Sequence, residues 1–379
     1  MIPLFKVFMS KDVLKPVNDI LMSGFVGQGK EVEKFERLLK EHFQNHLIVT
    51  TNSATAADHL ALHMLEKPYL NWDGISAGDE VLVTPLTCTA TNWPVLANGY
   101  KLKWVDVDPE TCNMDLDDLE RKITANTKII LVVHWGGNPV DLDRLKNIQD
   151  NCKELYGFKP AIIEDCAHSF GSKFSGELLG NHGNLAFFSF QAIKHFTTVD
   201  GGMLLLPHQE LYNRAKLLRW YGIDRETNSK DFRCEDDIAE WGYKSHMNDV
   251  NATIGIHNFP HVEELVKRHH DNAEFYQTEL QGVDGVTLLK RDARAYSSDW
   301  IYTIKVKNRD AFMRHMSKRQ IMVSRVHERN DKHSCVQEFR TLLPNLDKLS
   351  QEMICIPNGW WITDKERQYI VDSIKEGWG

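Results

Sequence analysis

Two short segments, each directly after an apolar run, together contain a carboxylate, an imidazole, a hydroxyl and a lysine. Asp165 and His168 follow the first run, and Ser189 and Lys194 follow the second. A lysine amine forms an imine with a carbonyl compound once burial or a neighbouring cation lowers its pKa. These residue types therefore indicate carbonyl–amine chemistry at a site that contains Lys194.

A third segment has the features of a phosphate site. A predicted helix over 54–65 is preceded and opened by small residues, Asn52-Ser53-Ala54-Thr55. The free N–H groups and dipole of such a helix start attract phosphate, although the same residues would also suit a plain helix cap. A phosphate site, a carboxylate and a loop lysine together indicate pyridoxal phosphate. Lys194 would then form the Schiff base, Asp165 would pair with the pyridinium nitrogen, and Ser189 would help hold the phosphate.

The elements that must position these residues are short apolar runs that alternate with amphipathic stretches. The sequence predicts strands at 79–87, 101–108, 127–135, 160–164, 184–190 and 201–207, and helices at 33–43, 54–65, 116–124 and 141–155. Continuously apolar strands are typical of a sheet that is buried on both faces, and alternation with helices favours parallel strands. In such α/β folds, functional residues collect at the carboxyl ends of the strands.

The pattern changes near residue 250. A long helical stretch runs from Asn248 to about Leu280 with a predicted bend at Pro260, because proline interrupts helix hydrogen bonding. A strand at 297–306, a helix at 309–320 and a strand at 321–327 follow. We therefore predict two domains and an N-terminal segment that packs on the second: a large α/β domain over 14–250, a small C-terminal α+β domain over 251–379, and residues 1–13.

Composition narrows the classes of function. The 379 residues carry a net charge of -8, which disfavours a nucleic-acid partner. The chain has no signal-peptide pattern and no apolar run near the roughly 20 residues that span a bilayer, so we expect a cytoplasmic protein without a membrane partner. Seven cysteines without a CxxC pair fit a reducing compartment. His59 and His63 have zinc-compatible spacing but no evident third ligand, so we expect no metal.

The chain resembles the DegT/DnrJ/EryC1/StrS family of pyridoxal-phosphate-dependent sugar aminotransferases. The resemblance covers nearly the whole chain and is carried by several motifs: Ile163-Glu164-Asp165-Cys166-Ala167-His168, Ser189-Phe190-Gln191-Ala192-Ile193-Lys194-His195, Thr197-Thr198-Val199-Asp200-Gly201-Gly202, His134-Trp135-Gly136-Gly137-Asn138-Pro139 and Gly242-Tyr243-Lys244-Ser245-His246-Met247-Asn248-Asp249. It implies fold type I, with a large domain whose mostly parallel sheet is sandwiched by helices.

The resemblance also implies a role for each matched residue. Lys194 would be the Schiff-base lysine and the general acid/base, and Asp165 would bind the pyridine nitrogen. His168, where many members have glutamine, would lie by the phenolic oxygen of the cofactor. The phosphate would be bound by Ser189, Ala54 and Thr55.

Two positions depart from the family pattern. Cys88 stands where many relatives have an aromatic residue that stacks on the cofactor ring, and Lys244 stands where relatives often have asparagine. The resemblance implies a homodimer with shared active sites, in which position 244 reaches the phosphate of the partner subunit. A lysine would do so as a point charge.

The resemblance further implies glutamate as amino donor and a keto sugar as acceptor. The acceptor would be a nucleotide-linked 4-keto-6-deoxyhexose, as in perosamine synthases, for glycan or polysaccharide biosynthesis. Candidates for binding its diphosphate are Arg325, His327, Arg329 and Asn330. The alternative acceptor is an eight-carbon keto-sugar acid without a nucleotide. A sugar 3-dehydratase, which has histidine in place of the lysine, is disfavoured by Lys194, and a regulatory protein is disfavoured by the intact set of site residues.

Overall fold

The computed structural model describes residues 1–225 and 237–378. In chain order, its strands are β1 (Ile48–Thr51), β2 (Glu80–Val83), β3 (Lys101–Trp104), β4 (Thr127–Val133), β5 (Ala161–Asp165), β6 (Lys173–Phe174), β7 (Glu177–Leu178), β8 (Leu185–Ser189), β9 (Gly202–Leu205), β10 (Val286–Leu288), β11 (Ala295–Tyr296), β12 (Tyr302–Val306) and β13 (Met353–Ile356). Its α-helices are α1 (Leu14–Ser23), α2 (Lys30–Phe43), α3 (Ala54–Met64), α4 (Thr89–Ala97), α5 (Leu116–Lys122), α6 (Leu142–Tyr156), α7 (Gln209–Leu218), α8 (Asp249–Asn258), α9 (Val262–Glu279), α10 (Arg309–Lys318), α11 (Pro344–Glu352) and α12 (Asp364–Lys375).

The central sheet has the strand order β1-β9-β8-β5-β4-β2-β3. The pairs from β8 to β3 are parallel, and β9 runs antiparallel to both of its neighbours. The mostly parallel sheet expected from the sequence is confirmed. Because β5 and β8 are parallel neighbours, Asp165 and the loop after Ser189 open at the same edge of the sheet.

Helix α6 illustrates how the local sequence sets the elements around this sheet. The Asp141 side chain accepts a hydrogen bond from the backbone N–H of Arg144 and caps the helix start. Gly157 ends the helix at a φ of 82°, in the left-handed region that glycine adopts without strain. The buried face repeats at helical spacing: Leu142, Leu145, Ile148 and Cys152.

The C-terminal sheet, β10-β12-β13, is antiparallel throughout. The N-terminal residues lie on this part of the chain, since Ile2 pairs with Ile321 and the Trp361 indole donates to the carbonyl of Pro3. The strand that we predicted over 321–327 is wrong. Its residues form only isolated pairings, and Val326 has a left-handed φ of 66°, which an extended strand excludes.

The long helical stretch connects the central sheet to the C-terminal sheet; a third, antiparallel sheet has the order β11-β6-β7. A 3-10 turn at Phe259–His261 separates α8 from α9 and interrupts the helix at Pro260, where we predicted a bend. Helix α8 packs on α2 of the large α/β part. Tyr276, late in α9, belongs instead to the C-terminal core. No helix in the described part of the chain is long and apolar enough to cross a membrane.

Candidate active site

Lys194 lies in the loop between β8 and β9, beneath a tryptophan from the C-terminal part of the chain. The Trp300 indole N–H donates to the carbonyl of Ile193 at 2.8 Å. The Lys194 Nζ atom lies 3.5 Å from the centroid of the same indole ring. Burial lowers the pKa of Lys194 to about 7, although the Asp165 carboxylate opposes the shift. A large share of the amine is therefore neutral, and nucleophilic, near neutral pH.

Asp165 is fixed at the end of β5 by two donors. The Thr91 hydroxyl donates to Oδ2 at 2.7 Å, and the Ala167 backbone N–H donates to Oδ1 at 2.9 Å. Burial raises the pKa of Asp165, while these hydrogen bonds and the charge of Lys194 oppose the rise. A carboxyl in this state gains from a cationic partner, and a protonated ring nitrogen would supply one.

The start of α3 forms a narrow cradle with the start of β9. The Ser53 hydroxyl accepts a hydrogen bond from the Ala56 N–H at 3.0 Å, while the N–H groups of Ala54 and Thr55 have no partner within the helix. A Cβ atom at Gly202 would lie 2.5 Å from the Ala54 nitrogen, so only glycine fits there. Gly202 pairs with Ser189 across β8 and β9, which brings the serine hydroxyl to the same end.

We expect the Gly202→Ala variant to bind cofactor at least about tenfold more weakly, because the added methyl group displaces the first turn of α3. Cofactor titration followed by absorbance measures the dissociation constant. Lys267→Ala, at an exposed position on α9, is the control. Equal cofactor affinity in the two variants would show that the start of α3 does not hold the phosphate.

Two histidines meet beside Lys194. The His168 and His327 Nε2 atoms are 3.4 Å apart, and their rings are parallel to within 4°. The Trp300 ring lies 4.2 Å from the His168 ring, centroid to centroid, and Trp135 faces both imidazoles edge-on. Burial holds the pKa of His168 well below its usual value and lowers that of His327 to about 3. Both imidazoles are therefore neutral at physiological pH.

Two further predicted residues lie around the same site. Cys88 precedes α4 and is exposed, and its thiolate charge would raise the pKa of Lys194, which places the two groups near each other. Lys244 is also exposed, and its backbone carbonyl accepts a hydrogen bond from the Asn52 side chain at 3.3 Å. The Lys244 segment therefore runs beside the phosphate cradle of its own chain.

Most of the predicted diphosphate-binding residues already have polar partners within this chain. Arg325 pairs with Glu328 at 2.6 Å, and Arg329 forms a bidentate pair with Asp331 and a further ion pair with Asp347. Asn330 is fully buried, where its amide donates to the Thr87 carbonyl at 2.8 Å and accepts from Asn92 at 2.9 Å. Of these residues, His327 is the one that the structure connects to the Lys194 environment.

The sequence matches the DegT/DnrJ/EryC1/StrS aminotransferase family over residues 8–375. This chain belongs to that family. Its fold is that of AtS13 from Actinomadura melliaura (49% identity, TM-score 0.95, 100% of this chain and 99% of the other). Sugar aminotransferase CalS13 from Micromonospora echinospora is 45% identical with a TM-score of 0.95, and both chains are fully covered. GDP-perosamine synthase from Escherichia coli O157:H7 is 28% identical over 99% of this chain and 98% of that protein.

The chain is therefore a fold type I sugar aminotransferase that depends on pyridoxal 5'-phosphate. The residues present fit this cofactor. A lysine with a lowered pKa and a buried carboxyl are available for its aldehyde and its ring nitrogen. The close approach of Gly202 to Ala54 leaves the first N–H groups of α3 at the cradle, where they would suit the cofactor phosphate.

Sequence reasoning missed two residues that hold this site together, Thr91 and Trp300. Thr91 lies on α4, and the proline inside that helix, Pro94, conceals its helical pattern. Trp300 falls within the strand predicted over 297–306, but no local pattern connects it to a lysine so distant in the chain. For Thr91, a usable signal was its position one helical turn after Cys88.

Proposed function

We propose that this enzyme transfers an amino group from glutamate to a nucleotide-linked 4-keto-6-deoxyhexose, for glycan or polysaccharide biosynthesis in the cytoplasm. The observation that carries the proposal is the end-to-end similarity to GDP-perosamine synthase, whose length this chain covers almost completely. The two histidines beside Lys194 are neutral at physiological pH, so they add no positive charge that would favour a keto-sugar acid over an uncharged sugar ring.

We assign each site residue a role in the reaction. The bound cofactor supplies an electron sink that makes a carbon-bound proton removable. Lys194 Nζ, whose pKa is lowered by burial, takes up and returns that proton. Asp165 would hold the ring nitrogen in its protonated form, and His168 would lie at the phenolic oxygen. Around the phosphate we place Ser189 and the N–H groups of Ala54 and Thr55, with Cys88 beside the ring.

A half-reaction screen tests this proposal. Glutamate should convert the bound cofactor to its amine form, and the correct keto sugar should then restore the original absorbance. We expect restoration with a nucleotide-linked 4-keto-6-deoxyhexose. Restoration by an eight-carbon keto-sugar acid, with none by any nucleotide sugar, would overturn the proposal.

We further propose that the enzyme acts as a homodimer with shared active sites. Helix α1 buries none of its residues, and this helix and the turn after it expose an apolar strip: Leu14, Leu21, Met22, Phe25 and Val26. Contiguous apolar surface of this kind favours a protein partner. In the proposed dimer, Lys244 contacts the cofactor phosphate of the partner subunit.

We expect the Lys244→Ala variant to lose about tenfold in cofactor affinity, since one charge-assisted phosphate contact is removed. Mixing it with the Lys194→Ala variant makes the test sharper. A mixed dimer with shared sites contains one site with both native lysines, so activity should rise on mixing at a cofactor concentration that leaves the Lys244→Ala homodimer mostly empty. If both lysines of a site come from one chain, mixing restores nothing. Lys267→Ala, at an exposed position on α9, serves as control.

Arg325 and Arg329 stay candidates for binding the sugar diphosphate. Each arginine would first have to release the carboxylate that it pairs with in this structure. Arg325 has one such partner and a side chain that is 36% exposed, whereas Arg329 has two partners and is 15% exposed. We therefore expect Arg325→Ala to give the larger rise in KM for the keto sugar, about tenfold, and Arg329→Ala mainly to lower Tm. The glutamate half-reaction should be unchanged in both. Equal damage to both half-reactions would indicate a shared carboxylate site.

A further inference from the structure

A fully buried asparagine fastens the C-terminal part of the chain to the start of helix α4. The Asn330 side-chain amide donates to the Thr87 carbonyl at 2.8 Å and accepts from the Asn92 side chain at 2.9 Å. A carbonyl oxygen only accepts, so the nitrogen end of the amide must face Thr87 and its oxygen must face Asn92. The Asn330 backbone N–H also donates, to the Pro85 carbonyl at 2.8 Å. One residue therefore holds both the segment before α4 and the helix itself.

The segment that Asn330 holds also carries the hydrogen bonds to Asp165. The Thr91 hydroxyl donates to the Asp165 carboxylate at 2.7 Å, and this bond uses its single hydrogen. Thr91 must therefore accept from the Thr87 hydroxyl, 2.9 Å away. Both threonines are buried. Because hydrogen bonds in a chain polarise one another, the Thr87 hydroxyl strengthens the bond that reaches the carboxylate.

We propose that Asn330 is a positioning residue that holds the two threonines in place and thereby directs the Asp165 carboxylate at the ring nitrogen of the cofactor. Without the Asn330 amide, the Thr87 carbonyl and the Asn92 amide would each lose a partner in buried surroundings, which is costly. The segment would shift toward other partners, and the Thr91 hydroxyl would move with it. This inference rests on the role proposed for Asp165 and not on the identity of the sugar.

The binding of two cofactors to the full-length protein tests this role without turnover. Pyridoxal phosphate has a ring nitrogen that can pair with Asp165, whereas its analogue with a C–H group at that position cannot. We expect Asn330→Ala to weaken the binding of pyridoxal phosphate at least about fivefold and that of the analogue by less than about twofold. Asn330→Leu, which fills a similar volume without hydrogen bonds, should show the same selective loss and guards against a variant that fails to fold. Equal losses for the two cofactors would overturn the proposal.

The matched control is a second buried asparagine of the C-terminal part. Asn272 on α9 is also fully buried, and its amide donates to the Gly359 carbonyl at 2.9 Å. Asn272→Ala should leave the ratio of the two dissociation constants unchanged, even where it lowers Tm. A selective loss of pyridoxal phosphate in this variant would mean that any buried asparagine has the effect, and would overturn the proposal.

A double variant tests the route through the threonines. In the Thr91→Val background the relay is already cut, so Asn330→Ala should change the ratio of the two dissociation constants by less than about twofold. A full effect in that background would overturn this route. If the native protein binds both cofactors equally well, the role proposed for Asp165 fails. If the native protein is selective and Asn330→Ala weakens both cofactors equally, the role of Asn330 alone fails.

Discussion

Replacing Lys194 with alanine should abolish transamination, with kcat lowered about 10⁴-fold or more. The variant loses both the amine that binds the cofactor covalently and the group that moves the proton, and each contributes separately to the rate. Borohydride reduction of the native enzyme followed by peptide mapping should find the pyridoxyl group on Lys194. An adduct on another lysine would refute the assignment.

Lys128→Ala is the matched control for this experiment. The Lys128 Nζ atom lies 3.7 Å from the centroid of the Phe158 ring, much as Lys194 lies over Trp300, but no contact among residues 1–225 and 237–378 connects it to the site. This variant should keep native kcat and native cofactor content. A loss as large as that of Lys194→Ala would mean that the lysine–aromatic contact, and not the chemistry of Lys194, is being measured.

Asp165→Asn should lower kcat roughly 10²–10³-fold while the protein still binds cofactor, because a neutral amide cannot keep the pyridine nitrogen protonated. Thr91→Val removes the 2.7 Å hydrogen bond to the same carboxylate but leaves its charge, so it should cost much less, about tenfold. Single-turnover absorbance with glutamate measures both effects. Turnover of Asp165→Asn within a few-fold of native would remove this residue from the site.

The sequence predicted that Asp165 and Lys194 lie close together, and the structure shows it, because the signals are local. Asp165 and Lys194 each follow a continuously apolar run, and neighbouring parallel strands bring their ends together whatever the rest of the chain does. The roles assigned to the individual side chains stay predictions. The edge of the central sheet was harder to predict. Its edge strand β1 is only four residues long, and we missed it beside the stronger helical signal of α2.

The loop after residue 320 shows a second reason for failure. Arg329 and Asn330 read as a polar surface in sequence, whereas their partners, Asp347 and Asn92, are supplied by distant segments. Whether a side chain is already paired with a distant residue depends on tertiary packing, and the spacing of apolar residues along the sequence does not reveal it. Trp300 was missed for the same reason.

The contact between Trp300 and the Lys194 loop also has a consequence for how the enzyme matures. Synthesis proceeds from the N-terminus, so the strand that ends at Asp165 and the loop that contains Lys194 leave the ribosome well before Trp300 and His327. Until those residues emerge, nothing from the C-terminal sheet shields the amine from water, and its pKa stays closer to that of free lysine. Stable cofactor capture therefore belongs to the completed chain, and a nascent or truncated enzyme that ends before residue 300 should accumulate in the apo form.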